Sequence, residues 1–208
     1  MVRKPKIVID SIVEARIARF ASFGRAAMDR EHALTKRADD MLRELEQARG
    51  LGASLNDEPI ALLLGYYSRP LRRIEAGSLV VAPEHRRKDL ALLMASILVV
   101  WSYWLKVELI AVIDDDNSNM MLLLEHFGAR VMERPLEVAG AAQLEESEFM
   151  AVFPEAAIRA ARILTDPHYH RFFELRHRIW TNPKLREELF KLAIRPLPED
   201  DDADEPER

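Results

Sequence analysis

Hydrophobic positions along this chain recur sometimes every second residue and sometimes every third or fourth, and the changes of period predict its elements. Residues 6–9 are a short β-branched run closed by Asp10 and Ser11, which reads as a strand. Ser11 and Glu14 have capping-box spacing, so a helix carrying Ile12, Val13, Ile17 and Phe20 should follow, ended or bent at Gly24. A second helix, residues 36–49, places Met41, Leu45 and Ala48 on one stripe. Gly50, Gly52, Asn56 and Asp57 then mark a loop.

Residues 59–67 and 72–82 read as strands joined around Pro70. Residues 90–105 are apolar except for Ser96 and Ser102. As a helix this run spans roughly 24 Å at about 1.5 Å per residue, short of the roughly 30 Å hydrocarbon core of a bilayer. It therefore predicts a helix buried around most of its circumference rather than a membrane span. Residues 107–113 form a continuous apolar strand of parallel-sheet type, which completes a strand–helix–strand crossover. A turn at residues 114–117 leads to a short helix through Met120, Met121, Leu124 and Phe127, stopped by Gly128. Residues 130–132 and 148–153 are the last strands expected. After residue 155 the pattern is helical again. Asp166-Pro167 and Asn182-Pro183 each place a capping residue before a helix-starting proline, the first helix carrying Phe172, Leu175 and Ile179 and the second Leu185, Leu189 and Leu192. No internal repeat is visible.

The fold class is therefore α/β, in a chain of 208 residues that suits one core with attachments. Apolar residues make up 49% and charged residues 31%, a soluble globular balance. The absence of cysteine excludes disulfides, thiolate metal sites and a cysteine nucleophile, and fits a cytoplasmic protein. The N-terminus runs into amphipathic sequence rather than a signal peptide. The net charge of −5 is concentrated at one end: residues 199–208 hold seven acidic groups and one arginine. Such a block reads as a disordered acidic tail, and the near-neutral remainder argues against nucleic acid as the main partner. The expected layout is a domain over residues 1–153, a helical extension over 154–196 packed on it, and a tail over 197–208. Trp101, Tyr103 and Trp104 extend the apolar surface of the central helix all round, so its outer side needs cover. Residues 155–192 are the nearest candidate and a second copy, in a homodimer, the next.

Residues 77–94 carry the clearest chemistry: an apolar strand, a basic turn and the start of the long helix. Backbone N–H groups and positive charge converge there on a helix N-terminus, a site suited to an anion. The turn reads Arg86, Arg87, Lys88, Asp89, Leu90, Ala91. Downstream, residues 116–129 pair Asn117 with Gly128 across a short helix. Together these motifs resemble those of the GCN5-related N-acetyltransferases (GNATs), whose anion motif is Arg/Gln-x-x-Gly-x-Gly/Ala, and the order of elements over residues 6–153 is similar.

The resemblance implies a mixed, mostly antiparallel sheet with a β-α-β core for acetyl-CoA or another acyl-CoA, plus the helical extension. The amides of Arg86, Arg87, Lys88, Asp89, Leu90 and Ala91 would hold the pyrophosphate, Val81 the pantetheine arm through its backbone, and Asn117 would belong to the same site. The acyl group would pass to a small-molecule or peptide amine by direct attack, with no metal, nucleic acid or membrane involved. Glu75, two residues before Gly77 on the entering strand, is the candidate general base; its plainer role is an exposed strand carboxylate paired with Arg72 or Arg73. Two positions depart from the family pattern. Asp89 replaces glycine, and as an N-cap its carboxylate could fill the anion site itself. Leu124 stands where many members place a tyrosine acid. Alternatives are a non-catalytic binding module and an enzyme like the N-acyl amino acid synthases, which take acyl carrier protein as donor and would need a tunnel beside Leu92, Leu93, Ile97 and Val100.

Other features have simpler readings. His168 and His170 do not share a helix face, so with Tyr169 and His177 they make no metal site. Glu84 reads as solvated. Arg69, Arg72, Arg73, Arg86, Arg87 and Lys88 form one basic group, read as a rim for cofactor phosphates.

Overall fold

The computed structural model describes residues 5–29, 49–114, 118–132, 147–152 and 155–197. Of the expected helix at 36–49, residues 36–48 lie outside the described residues, as do Asn117 and residues 198–208 of the acidic tail, while Arg49 opens a strand instead. In chain order the elements are β1 (Ile7–Ser11), α1 (Glu14–Asp29), β2 (Arg49–Leu55), β3 (Glu58–Ser68), β4 (Arg73–Val81), α2 (Leu90–Leu105), β5 (Glu108–Asp114) and α3 (Ser118–His126). They continue with β6 (Arg130–Met132), β7 (Ser147–Val152), α4 (Ala156–Thr165), β8 (Phe173–Leu175), α5 (Arg178–Thr181) and α6 (Pro183–Ala193). Among the described residues one mixed sheet contains all eight strands, in the order β6-β7-β5-β4-β3-β2-β1-β8. Its ladders are antiparallel except β4–β5 and β1–β8.

Each face of the sheet has its own cover. On one, Phe20 and Ala21 of α1 pack against Leu62, Leu64 and Val80. On the other, α2 lies across the sheet, and α4 lies on α2. Ten of the sixteen α2 residues are buried, as its long apolar run requires. Both serines bond back into their own helix, Ser96 Oγ to the Leu92 carbonyl at 2.7 Å and Ser102 Oγ to the Val99 carbonyl at 2.8 Å. Small residues on α4 (Ala156, Ala157, Ala160, Ala161) let the two helices approach closely, with Leu164 beside them. Among the described residues no helix is long and apolar enough to cross a membrane.

Four local readings need correction. Ser11 does not cap α1; it stays in the strand, paired with Leu51, and the helix starts only at Glu14. Gly24 neither ends nor interrupts α1, which runs on to Asp29. Gly50 and Gly52 belong to β2 rather than a loop, and only Asn56 and Asp57 turn, both with positive φ. Gly52 is required because α1 presses on the strand: a Cβ there would meet Phe20 Cζ at 2.4 Å. Finally, Asp166-Pro167 starts only a 3-10 turn at Tyr169–Arg171, with Asp166 Oδ1 accepting from the His168 amide at 2.7 Å. The chain then enters β8, which completes the free edge of β1. Asn182 does cap α6, accepting from the amides of Lys184 and Leu185.

His177, between β8 and α5, is buried, and its Nδ1 accepts from the Ile179 amide at 3.3 Å. Burial, and secondarily the charge of Arg178, push its pKa down to about 4 from 6.5. The fold therefore favours the neutral ring. The associated stability is complete above pH 6.5 and is lost as the pH falls toward 4. At about 1.4 kcal/mol per unit the loss is about 3 kcal/mol. His177→Asn keeps a cap acceptor without the titration, so urea unfolding at a series of pH values should show wild type losing more stability than the variant over that window. Parallel losses would refute the assignment.

Candidate functional site

The site begins with a register defect. β3 and β4 pair Leu63 with Leu79 and Gly65 with Ala76, so Gly77 and Ser78 together face the single residue Leu64. Such a bulge bends its strand and leaves a backbone group unpaired. On the other side, β4 pairs with β5 from Arg73↔Glu108 to Ala76↔Ala111 and no further, although both strands continue. Beyond Ala76 the two strands splay. The cleft they open is floored by α2 and α3 through Leu98, Val99, Leu124 and Phe127, and holds a cavity of about 30 Å³.

Gly77 at this point has a second cause. The Tyr66 ring lies across it from the α1 face, so that a Cβ on Gly77 would stand 2.2 Å from Tyr66 Cε2. Glu75 is Tyr66's ladder partner and is buried, at 6% exposure, between β3 and β5 rather than exposed on the strand. Glu75, Tyr66 and the bulge thus share the face of the sheet opposite the cleft's apolar floor.

After Val81 the chain makes a 3-10 turn at Pro83–His85 and then enters α2. Arg87 and Asp89 both have positive φ, 58° and 56°. The resemblance wants glycine at position 89, and the structure shows that backbone need directly; aspartate is among the few side chains that adopt this conformation with ease. Asp89 is the α2 N-cap residue but makes no side-chain cap bond. The expectation that its carboxylate occupies the helix end is therefore corrected: in the left-handed conformation it does not accept from the first-turn amides. Among the described residues the amides of Leu90, Ala91 and Leu92 have no protein acceptor, while Leu93 donates to the Asp89 carbonyl at 2.9 Å. These are the free donors of a helix N-terminus.

The surrounding charges divide into two groups. Arg86 Nε donates to the Val81 carbonyl at 3.1 Å, and Lys88 Nζ to the Glu84 carbonyl at 2.7 Å, which hold the turn together. Arg69, Arg72 and Arg73 lie at the other end of β4, where Arg73 pairs with Glu108 at 2.6 Å. Nine strand residues separate the ends, roughly 25–30 Å. The single basic rim expected from the sequence is two patches, because an extended strand separates what the chain places nearby.

Leu124 projects into the cleft and is buried, whereas His126 is exposed and packs edge-on against Phe127. The extension contributes one group that sequence analysis set aside. Tyr169 lies close enough to Asp89 for that carboxylate, after burial, to push its phenol pKa up, with Asp166 adding to the effect. Of the aromatic cluster, His170 stacks on Trp180 and its Nε2 lies 2.9 Å from the Leu164 carbonyl. No group of three metal-binding side chains occurs among the described residues.

No family model and no curated protein matches the chain by sequence. Solved structures do match it by shape. A GNAT-family acetyltransferase from Staphylococcus aureus superposes with a TM-score of 0.59 at 11% identity, over 71% of this chain and 99% of its own. The ribosomal-protein-alanine N-acetyltransferase of Escherichia coli gives 0.56 at 17%, over 70% and 92%. The PaiA N-acetyltransferase of Thermoplasma acidophilum, solved with coenzyme A, gives 0.55 at 13%, over 70% and 97%. Bulge, splayed strands, basic turn and β-α-β crossover together make this the fold of the GNAT acetyltransferases.

Proposed function

We propose that the protein transfers an acyl group from an acyl-CoA to a primary amine. The observation that carries this reading is the joint presence of the β4–β5 splay and the unpartnered amides of Leu90, Ala91 and Leu92 at its mouth. In this reading the amides of residues 87–91 take the pyrophosphate, with Arg87 and the exposed turn adding positive charge; the Arg86 amide, expected among them, instead donates to the Pro83 carbonyl at 3.3 Å and closes the 3-10 turn. The pantetheine arm follows Val81 into the splay, so Arg86 releases the Val81 carbonyl when it enters. Asn117 remains assigned to this site by resemblance. The thioester carbonyl then lies beside the Gly77–Ser78 bulge, whose unpaired amide stabilises the oxyanion as the amine attacks. Glu75 takes the amine proton through water on the Tyr66 face. Collapse of the tetrahedral adduct breaks the C–S bond and expels the thiolate, and Leu124 cannot supply its proton, so solvent does.

The narrow cleft favours a short acyl chain. Leu93 and Val100 are fully buried in the packed core, and Ile97 borders a cavity lined by Ser11, Leu51, Trp101 and Arg178 rather than by the splayed strands, which weighs against the carrier-protein reading with its long tunnel. A second reading, a non-catalytic binding module, draws on the same narrowness: at about 30 Å³ the cavity is far smaller than the roughly 300–1,000 Å³ of small-molecule pockets, so the splay must widen to admit an arm. Thermal unfolding with about 1 mM acetyl-CoA separates them. A dissociation constant of about 10 μM would add about 2.7 kcal/mol, a rise of roughly 5–10 °C for a chain of this size. That rise is the expected result; no rise in wild type or in any Asp89 variant would favour the binding module.

A further inference from the structure

A second cavity, of about 280 Å³, lies beside the middle and C-terminal half of α2, between the sheet and the C-terminal extension. Its walls come from four separate segments: Ser11 at the end of β1, Leu51 of β2, Ile97 and Trp101 of α2, and His177 with Arg178 ahead of and within α5. The volume is near the lower end of the range for small-molecule sites. Its lining combines aliphatic walls with a few convergent polar groups, which is the composition such sites show.

The polar groups are all donors or able to donate. His177 is 7% exposed, and its Nδ1 is already the acceptor for the Ile179 amide. In the neutral ring the proton must then sit on Nε2, which has no protein partner among the described residues. The Arg178 guanidinium lies 3.8 Å above the Trp101 ring and has no carboxylate partner among the described residues. Ser11 adds a hydroxyl. Asp10, the nearest acidic neighbour in sequence, is turned to the other face of the strand, where it accepts from the Ser11 amide. A cavity with apolar walls, a guanidinium without a carboxylate partner among the described residues and an accessible imidazole N–H suits a ligand with an apolar body and one carboxylate.

We infer that this cavity is a binding site for a small apolar carboxylate, separate from the strand splay and independent of the proposed transferase chemistry. The carboxylate pairs with Arg178 and accepts from His177 Nε2, while the apolar body packs on Trp101, Leu51 and Ile97. Leu98 lies in the wall between the two cavities.

The test is calorimetric titration of the full chain with 3-phenylpropionate, followed in parallel by tryptophan fluorescence. Saturable one-to-one binding is expected. The neutral counterpart 3-phenyl-1-propanol should bind at least about tenfold more weakly, because it lacks the charge-assisted hydrogen bond to Arg178. Arg178→Met keeps the stem on Trp101 and removes the charge, and should weaken the acid by a similar factor while leaving the alcohol unchanged. Ser11→Leu narrows the cavity and should abolish both. Both are surface-side changes, and an unaltered melting temperature in the absence of probe shows that each variant is folded; where Ser11→Leu does not fold, Arg178→Met decides. Absence of saturable binding at millimolar probe, equal affinity for acid and alcohol, or binding indifferent to Arg178→Met would each overturn the assignment.

Discussion

Ala160→Glu is expected to lower the melting temperature by roughly 6–20 °C. Ala160 sits on α4 with no exposed surface, between Ala156, Ala157, Ala161 and Leu164, where α4 lies on α2. A carboxylate there would have neither water nor a cationic partner. An uncompensated buried charge costs about 3–5 kcal/mol. For a chain of 150–250 residues each kcal/mol is about 2–4 °C. The effect reaches the candidate site as well, because α2 presents the first-turn amides and is held against the sheet from the α4 side. Ala160→Ser, smaller and neutral, should cost far less. Differential scanning calorimetry of both variants provides the check, and an Ala160→Glu protein melting within a degree or two of wild type would mean that the extension does not clamp α2.

Asp89→Gly is expected to tighten acetyl-CoA binding about tenfold or more. The backbone already has the positive φ that glycine accepts freely, so the substitution changes charge and bulk without asking the turn to move. The carboxylate is exposed, close to the first-turn amides, and makes no cap bond that would be lost. Its repulsion of a phosphate charge at 4 Å is about 1 kcal/mol in water and about 4 kcal/mol at an effective dielectric of 20, equivalent to about 5-fold to about 1000-fold in affinity. Salt at about 0.15 M and the neighbouring arginines favour the lower half of that range. Asp89→Asn separates the two causes: a gain shared by both variants is electrostatic, and a gain confined to glycine reflects space for the backbone to approach the phosphates. Equal dissociation constants in wild type and both variants would remove Asp89 from the phosphate site.

Legibility varied with the range over which each feature is determined. The α2 boundaries, Leu90–Leu105, follow from an apolar run, interrupted only by Ser96 and Ser102, between a charged turn and Lys106, and the helix has those ends. The crossover into β5 and the Gly128 stop were similarly visible, since each depends on a short window. β2 was misread as a loop because its glycines look like turn residues until the Phe20 ring is seen against Gly52. β8 was misread as helix, although Phe173, Leu175, His177 and Ile179 alternate as buried residues with exposed Glu174, Arg176 and Arg178. The period of two was present and the Asp-Pro cap signal outweighed it; the strand forms because β1 leaves an edge to pair.

By itself, then, the sequence determined the α/β class, the long buried helix, the basic turn at its start and the family these resemble. Those features rest on local periodicity, capping and charge, which act over a few residues. Tertiary structure decided that β4 bulges at Gly77, that β4 and β5 part after Ala76, that Tyr66 covers the bulge from the α1 face, and that Asp89 adopts a glycine-like backbone without capping its helix. It also brought Ser11, Trp101 and Arg178 around one cavity. Each of these depends on register between strands, or on packing between segments far apart in the chain, and such contacts are set by the sum of many weak interactions that no single window of sequence contains.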